Sequence, residues 1–156
     1  MPVHDELLQE FQDFAKSAPT AKSVMELICR RLHEKMTRYN WVGFYLVDPT
    51  DSGVLLIGPF VGSFTPNPRI PLNSGLCGAA ARTGQTVVVH DVSKDPRYLA
   101  CSLETKSEIV VPIFVANQVA GELDIDSHFP AAFGEEDQKL VQYCAEVVGQ
   151  RLEKSR

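Results

Sequence analysis

Residues 101–127 read C-S-L-E-T-K-S-E-I-V-V-P-I-F-V-A-N-Q-V-A-G-E-L-D-I-D-S, and the rest of the chain is organised around them. Two apolar, β-branched runs, 109–115 and 119–125, flank a short polar break at Asn117-Gln118, which predicts a β-hairpin. Side chains alternate along a strand, so Val119, Leu123 and Ile125 share one face while Glu122, Asp124 and Asp126 share the other. An acidic row opposite an apolar row is ordinary where it faces water. Here it closes a strongly apolar hairpin that Glu108 opens, and Cys101 lies just upstream. Carboxylates gathered near a thiol suggest a pocket.

The place of Glu108 depends on the turn. A strict two-residue loop puts it opposite Ser127, on the apolar face. A three-residue loop centred on Asn117, or a bulge, puts it opposite Asp126 and among the acids. The second arrangement is the expected one, because Pro112 within the first strand marks a bulge or an edge.

The 156 residues are enough for one domain over 1–156 that buries most of its apolar surface. A net charge of −5 speaks against a nucleic-acid partner, which needs a basic patch. No apolar run is long enough to span a bilayer and no secretory signal opens the chain, so a cytoplasmic protein is expected. The four cysteines form no CxxC and no metal-ligand spacing, and the four histidines are scattered; no metal and no cofactor are expected. In a reducing compartment this cysteine usage favours thiol chemistry or packing over a disulfide framework.

Outside the hairpin, 6–15 has apolar residues at helical spacing, and Pro19-Thr20 breaks it. A second helix follows, with Ser23 and Glu26 in capping-box spacing and Val24, Ile28, Leu32 and Met36 as its stripe. Residues 41–47 read as a strand, a turn covers 48–53, and 54–58 returns as the partner strand. On the first of these, Trp41, Gly43 and Tyr45 share a face, so two rings flank a glycine that leaves space between them. Core packing and an aromatic box for a cation or a methyl–sulfur group are both open. Residues 59–71 form a proline-rich crossing too broken for a regular element. Asn73 or Ser74 caps a short helix that Gly84 ends, with Cys77 in its first turn, where the dipole favours a thiolate. A strand at 86–89 and a turn-rich loop lead to Cys101, and a last helix starts near Gly134. The order predicts an α+β domain with a mainly antiparallel sheet and both terminal helices packed on one face of it. Those helices are also the expected face of any homodimer.

Cys29 and Cys144 lie on helical stripes and read as packing. Cys77 and Cys101 lie beside polar residues. Such a pair can run sulfenic-acid chemistry, one thiolate attacking and the other resolving the product to a disulfide. Clustered carboxylates supply the acid that reduction of a sulfoxide needs, because like charges raise the pKa of one of them. From the residues alone, a ligand-binding or structural domain stays open beside this.

From Trp41 onward the chain resembles GAF-domain proteins, and within them the free methionine-(R)-sulfoxide reductases. The matching blocks are N-W-V-G-F-Y at 40–45, G-P-F-V-G at 58–62, R-I-P at 69–71 and G-L-C-G-A-A at 75–80. They continue with A-C at 100–101, S-E-I-V-V-P at 107–112 and G-E-L-D-I-D-S at 121–127. The resemblance implies that Cys101 is the nucleophile and Cys77 a resolving cysteine. It also implies that Glu108, Asp124 and Asp126 bind the sulfoxide oxygen and the substrate ammonium, with Trp41 and Tyr45 as the aromatic wall. The family's third cysteine, before R-I-P, is missing from 63–68, which leaves Cys77 as the resolver. Free methionine sulfoxide is then the substrate and a thioredoxin-type protein the reductant. A non-enzymatic GAF sensor that binds a small molecule, or senses oxidation through Cys101, is the alternative.

Overall fold

A computed structural model describes residues 2–64, 66–98 and 102–155. Its elements are α1 (Pro2–Ser17), α2 (Ala21–Lys35), β1 (Trp41–Asp48), β2 (Asp51–Gly62), β3 (Arg69–Pro71), α3 (Gly75–Thr83) and β4 (Val87–Val89). They continue with β5 (Ser107–Val115), β6 (Gln118–Ser127) and α4 (Glu135–Lys154). The strands form one antiparallel sheet in the order β3-β2-β1-β6-β5-β4. The α+β architecture expected from the element order is the one observed.

Alternation along the three inner strands builds two cores. Val42 and Phe44 of β1, Ile109, Val111 and Ile113 of β5, and Leu123 and Ile125 of β6 face α1, α2 and α4. Trp41 and Tyr45 of β1 and Val110 of β5 face the opposite side, with Leu76, Cys77, Ala79 and Ala80 of α3. With both faces covered, β6 is buried from Gly121 to its end at Ser127. The acidic row therefore points into the protein, under α3, and not into water. Leu7 and Phe11 of α1 and Leu140, Val141 and Cys144 of α4 all enter the helix-side core. The apolar stripes of the terminal helices are thus used internally, and the groove left outside between them is lined mainly by polar groups such as Gln12, Lys16, Glu146 and Arg151. No helix among the described residues is long and apolar enough to cross a membrane.

The hairpin turns at Ala116-Asn117, one residue earlier than the polar break suggested; Val115 pairs with Gln118. Both turn residues have positive φ, 51° and 65°, the geometry of a two-residue loop that matches strand twist. A bulge then enters on β6, since Phe114 pairs with Val119 but Ile113 with Gly121. That extra residue brings Glu108 opposite Asp126, as expected. It also puts half-buried Val119 across the bulge from Leu123 and Ile125. Pro112 is not itself the bulge. It pairs with Glu122 and lies beyond Val110, the last β5 residue paired to β4, where a missing N–H costs no ladder bond.

Two further expectations are corrected. The region after residue 58 is not shapeless, because β2 continues to Gly62 and β3 lies inside the proline-rich crossing. Pro59 is accommodated by a bulge, as Gly43 pairs with Phe60 but Tyr45 with Ile57. At α2 the N-cap is Thr20, whose Oγ1 accepts from the Ser23 amide at 3.0 Å; Ser23 lies inside the helix.

Candidate active site

Four acids and a thiol meet on the α3 side of the sheet. Glu108 is the second residue of β5, while Glu122, Asp124 and Asp126 occupy alternate positions of β6. All four are buried, Glu122 completely and the others to 3–5% exposure. Cys77, in the first turn of α3, comes down onto them, and its Sγ donates to Asp124 Oδ2 at 3.4 Å. Thr105 Oγ1 donates to Asp126 Oδ2 at 3.4 Å, which ties the chain just after Cys101 to the same wall. Glu108, Asp124, Asp126 and Cys77 line a tight cavity of about 20 Å³. Tyr45, Phe64 and Ile70 supply the apolar side, and Ser74, Gly75 and Leu76 bring the N-terminus of α3 to its rim.

Burial dominates the electrostatics. It raises the pKa of Glu108 and Asp126 well above the ordinary carboxylate range, and neighbouring Asp124 adds to the rise in both. Glu122 is pushed up the same way, chiefly by burial. Asp124 is raised less strongly, because hydrogen bonds from Glu108, Asp126 and Cys77 favour its anion. Asp124 Oδ1, Asp126 Oδ1 and both Glu122 oxygens receive no hydrogen bond from a protein donor of fixed position. All four acids therefore resist ionisation, Asp124 the least of them.

The first turn of α3 does not make Cys77 a thiolate. Burial, then Asp124, Glu122 and Glu108, raise its pKa well above that of a free thiol, so the helix dipole loses to desolvation and three acids. Ser74 is the N-cap residue of α3 but makes no side-chain capping bond, and Gly84 ends the helix at a φ of 69°. Cys29 and Cys144 are packed in the helix-side core, as expected. Cys101, the candidate nucleophile, lies outside the described residues.

The space expected between Trp41 and Tyr45 is filled by Trp41 itself. A Cβ on Gly43 would fall 2.3 Å from the indole, so the glycine is the seat of that ring. Trp41 is fully buried, stacked on Phe64 at 5.1 Å and Phe60 at 5.9 Å, and its Nε1 donates to the Phe64 carbonyl at 3.1 Å. It lies behind the cavity and holds Phe64 in place; the rings at the cavity are Tyr45 and Phe64. Phe64 was hidden in the proline-rich crossing. Glu122 stood in the acidic row but carried no block of its own beyond G-E-L-D-I-D-S.

A GAF domain family model matches residues 21–152. The chain belongs to the GAF-domain family. Within the GAF proteins it is similar to the free methionine-R-sulfoxide reductase of Escherichia coli, with 40% identity over 108 residues, 69% of this chain. That alignment covers 63% of the E. coli enzyme, less than two thirds of its length. The GAF fold also superimposes on the free methionine-R-sulfoxide reductase of Neisseria meningitidis in complex with its substrate. There the TM-score is 0.91 at 37% identity, covering 98% of this chain and 90% of that one. The type II free methionine-R-sulfoxide reductase of Thermoplasma acidophilum gives 0.80 at 37% identity, over 92% and 96% of the two chains.

Buried acids with raised pKa values make the fold dependent on pH. An unfolded carboxyl loses its proton near pH 4, while Glu108, Glu122 and Asp126 keep theirs to higher pH when folded. Their contribution is fully present below about pH 4 and is lost as pH rises through the folded values. Glu122→Gln removes one such group. It is expected to melt about 2–4 °C above the parent at neutral pH, roughly 1 kcal/mol, and to show a shallower loss of stability from pH 4 upward. Thermal melts of both proteins across that range check this, and equal slopes would contradict the assignment.

Proposed function

We propose that this GAF domain, spanning the whole chain 1–156, reduces free L-methionine-(R)-sulfoxide to methionine in the cytoplasm. The observation that carries the reading is the buried acid cluster opening on a cavity beside Cys77, in a chain so similar to enzymes of that name. A free amino acid brings an ammonium group, and Asp124 and Asp126 have oxygens waiting for a donor. The substrate carboxylate is suited to the amides at the start of α3, where Gly75 and Leu76 line the rim. Tyr45 and Phe64 flank the S-methyl group, a contact aromatic edges favour. Trp41 serves by fixing Phe64.

In the first step the Cys101 thiolate attacks the sulfoxide sulfur while a protonated carboxyl, Glu108 or Asp126, gives its proton to the sulfoxide oxygen. The hydroxyl passes to Cys101, methionine leaves with its electron pair restored, and Cys101 becomes a sulfenic acid. Cys77 then displaces that oxygen as water and forms the Cys77–Cys101 disulfide, which a thioredoxin-type dithiol reduces back to two thiols. Cys77 suits the second role better than the first. A thiol held protonated by burial is a poor initiator, and Asp124, to which it donates, is placed to take its proton.

If the acids read the ammonium, N-acetyl-methionine sulfoxide and a sulfoxide inside a peptide fall at least about a hundredfold below the free amino acid in kcat/KM, as for a lost buried charge pair. Steady-state rates on the three compounds check this. Equal rates on the acetylated compound would contradict it.

A further inference from the structure

We propose that the Cys77–Glu108–Asp124 corner of the cavity also binds a zinc-class divalent cation, which excludes the substrate ammonium and ties up the resolving thiol. The exclusion rests on the function proposed above; the metal site itself does not.

Cys77 Sγ, one Glu108 oxygen and one Asp124 oxygen lie within 4.8 Å of one another, and no other set of three such side chains comes as close among the described residues. Zinc takes sulfur at about 2.3 Å and carboxylate oxygen at about 2.1 Å, so tetrahedral geometry separates those two ligands by roughly 3.6 Å. The Cys77–Asp124 edge already stands at 3.4 Å. Closing the third ligand needs a movement of about 1 Å, within a rotamer adjustment of Glu108. Three protein ligands leave a fourth position for water. One sulfur with two carboxylates suits a borderline-soft ion; calcium and magnesium ask for six or more oxygens, or a mostly hydrated shell.

A second observation points the same way. Asp126 Oδ1 is buried in the wall of this cavity, its side chain 3% exposed, and meets no protein donor. It offers an unclaimed oxygen beside the three ligands without needing to bind the ion. On binding, the cation replaces the thiol proton of Cys77 and the carboxyl proton of Glu108, both of which leave to solvent, and no electrons move. Chelation therefore reverses the block.

The test uses the reduced, chelator-treated full chain. Zinc is titrated calorimetrically, and cobalt is added in parallel to read thiolate coordination by its charge-transfer absorption. Expected are about one equivalent of zinc, a cobalt–thiolate band, and retention of both in Cys101→Ser. Cys77→Ser loses the band, and Glu108→Gln, which keeps the thiol, weakens zinc by about tenfold or more. Circular dichroism shows that each variant is folded. A parent without the band, a Cys77→Ser protein that keeps it, its loss in Cys101→Ser, or unchanged affinity in Glu108→Gln each overturns the site. Zinc that binds as described but does not raise the KM for free methionine sulfoxide overturns the exclusion alone. A chelated enzyme without turnover contradicts the reductase reading and leaves the metal result standing.

Discussion

Cys101→Ser is expected to abolish methionine formation with every reductant, because the sulfoxide sulfur then meets no thiolate. Cys77→Ser separates the two half-reactions. Its first step is intact, so about one equivalent of methionine still forms in a single turnover while sulfenic acid accumulates on Cys101. Multiple turnover with thioredoxin collapses, since thioredoxin acts on a disulfide, and a small dithiol that reaches the sulfenic acid restores much of it. A burst assay by amino-acid analysis, with a sulfenic-acid trap followed by mass spectrometry, reads both effects. Full thioredoxin-dependent turnover by Cys77→Ser would leave Cys101 working alone and remove Cys77 from the mechanism. The loss of the family's third cysteine from 63–68 gives this experiment its weight, because no other thiol lies at the cavity among the described residues.

The second large effect falls on the acids. Asp124→Asn and Asp126→Asn keep size but replace a carboxyl group by an amide, part of which must donate and which cannot give up or take a proton. Each is expected to lower kcat/KM by about 2–4 kcal/mol, roughly thirty- to a thousandfold, with the fold intact. Asp124→Asn also takes away the acceptor of the Cys77 thiol, so its single-turnover burst survives better than its steady-state rate. Stopped-flow and steady-state rates on the two variants separate these roles. Near-parental rates in both would mean that the buried row is only structural.

The acidic site was legible because strand alternation is a strict rule. Given a strand at 118–127, Asp124 and Asp126 had to share a face, and the apolar content of the hairpin said that this face would be covered. The position of Glu108 followed from a register shift that the sequence allowed in several ways, and only the pairing of β5 with β6 shows where the extra residue sits. The proline-rich crossing misled for a related reason. A proline ends a strand in the middle of a ladder but not at a bulge, and the bulge at Pro59 is made by its pairing with β1. Cys77 shows the limit of local chemistry. Its helix-start position is visible in one dimension, whereas the three acids that outweigh the dipole come from strands more than thirty residues away. Phe64 and the seating of Trp41 over Gly43 are packing facts with no periodic signature.

The central claim is tested most directly by giving the reduced chain each epimer of free methionine sulfoxide, with thioredoxin and an NADPH-linked recycling system. The account predicts methionine and stoichiometric NADPH loss from the R epimer and neither from the S epimer. Binding of either epimer without methionine formation would instead make this GAF domain a small-molecule receptor and contradict the reductase.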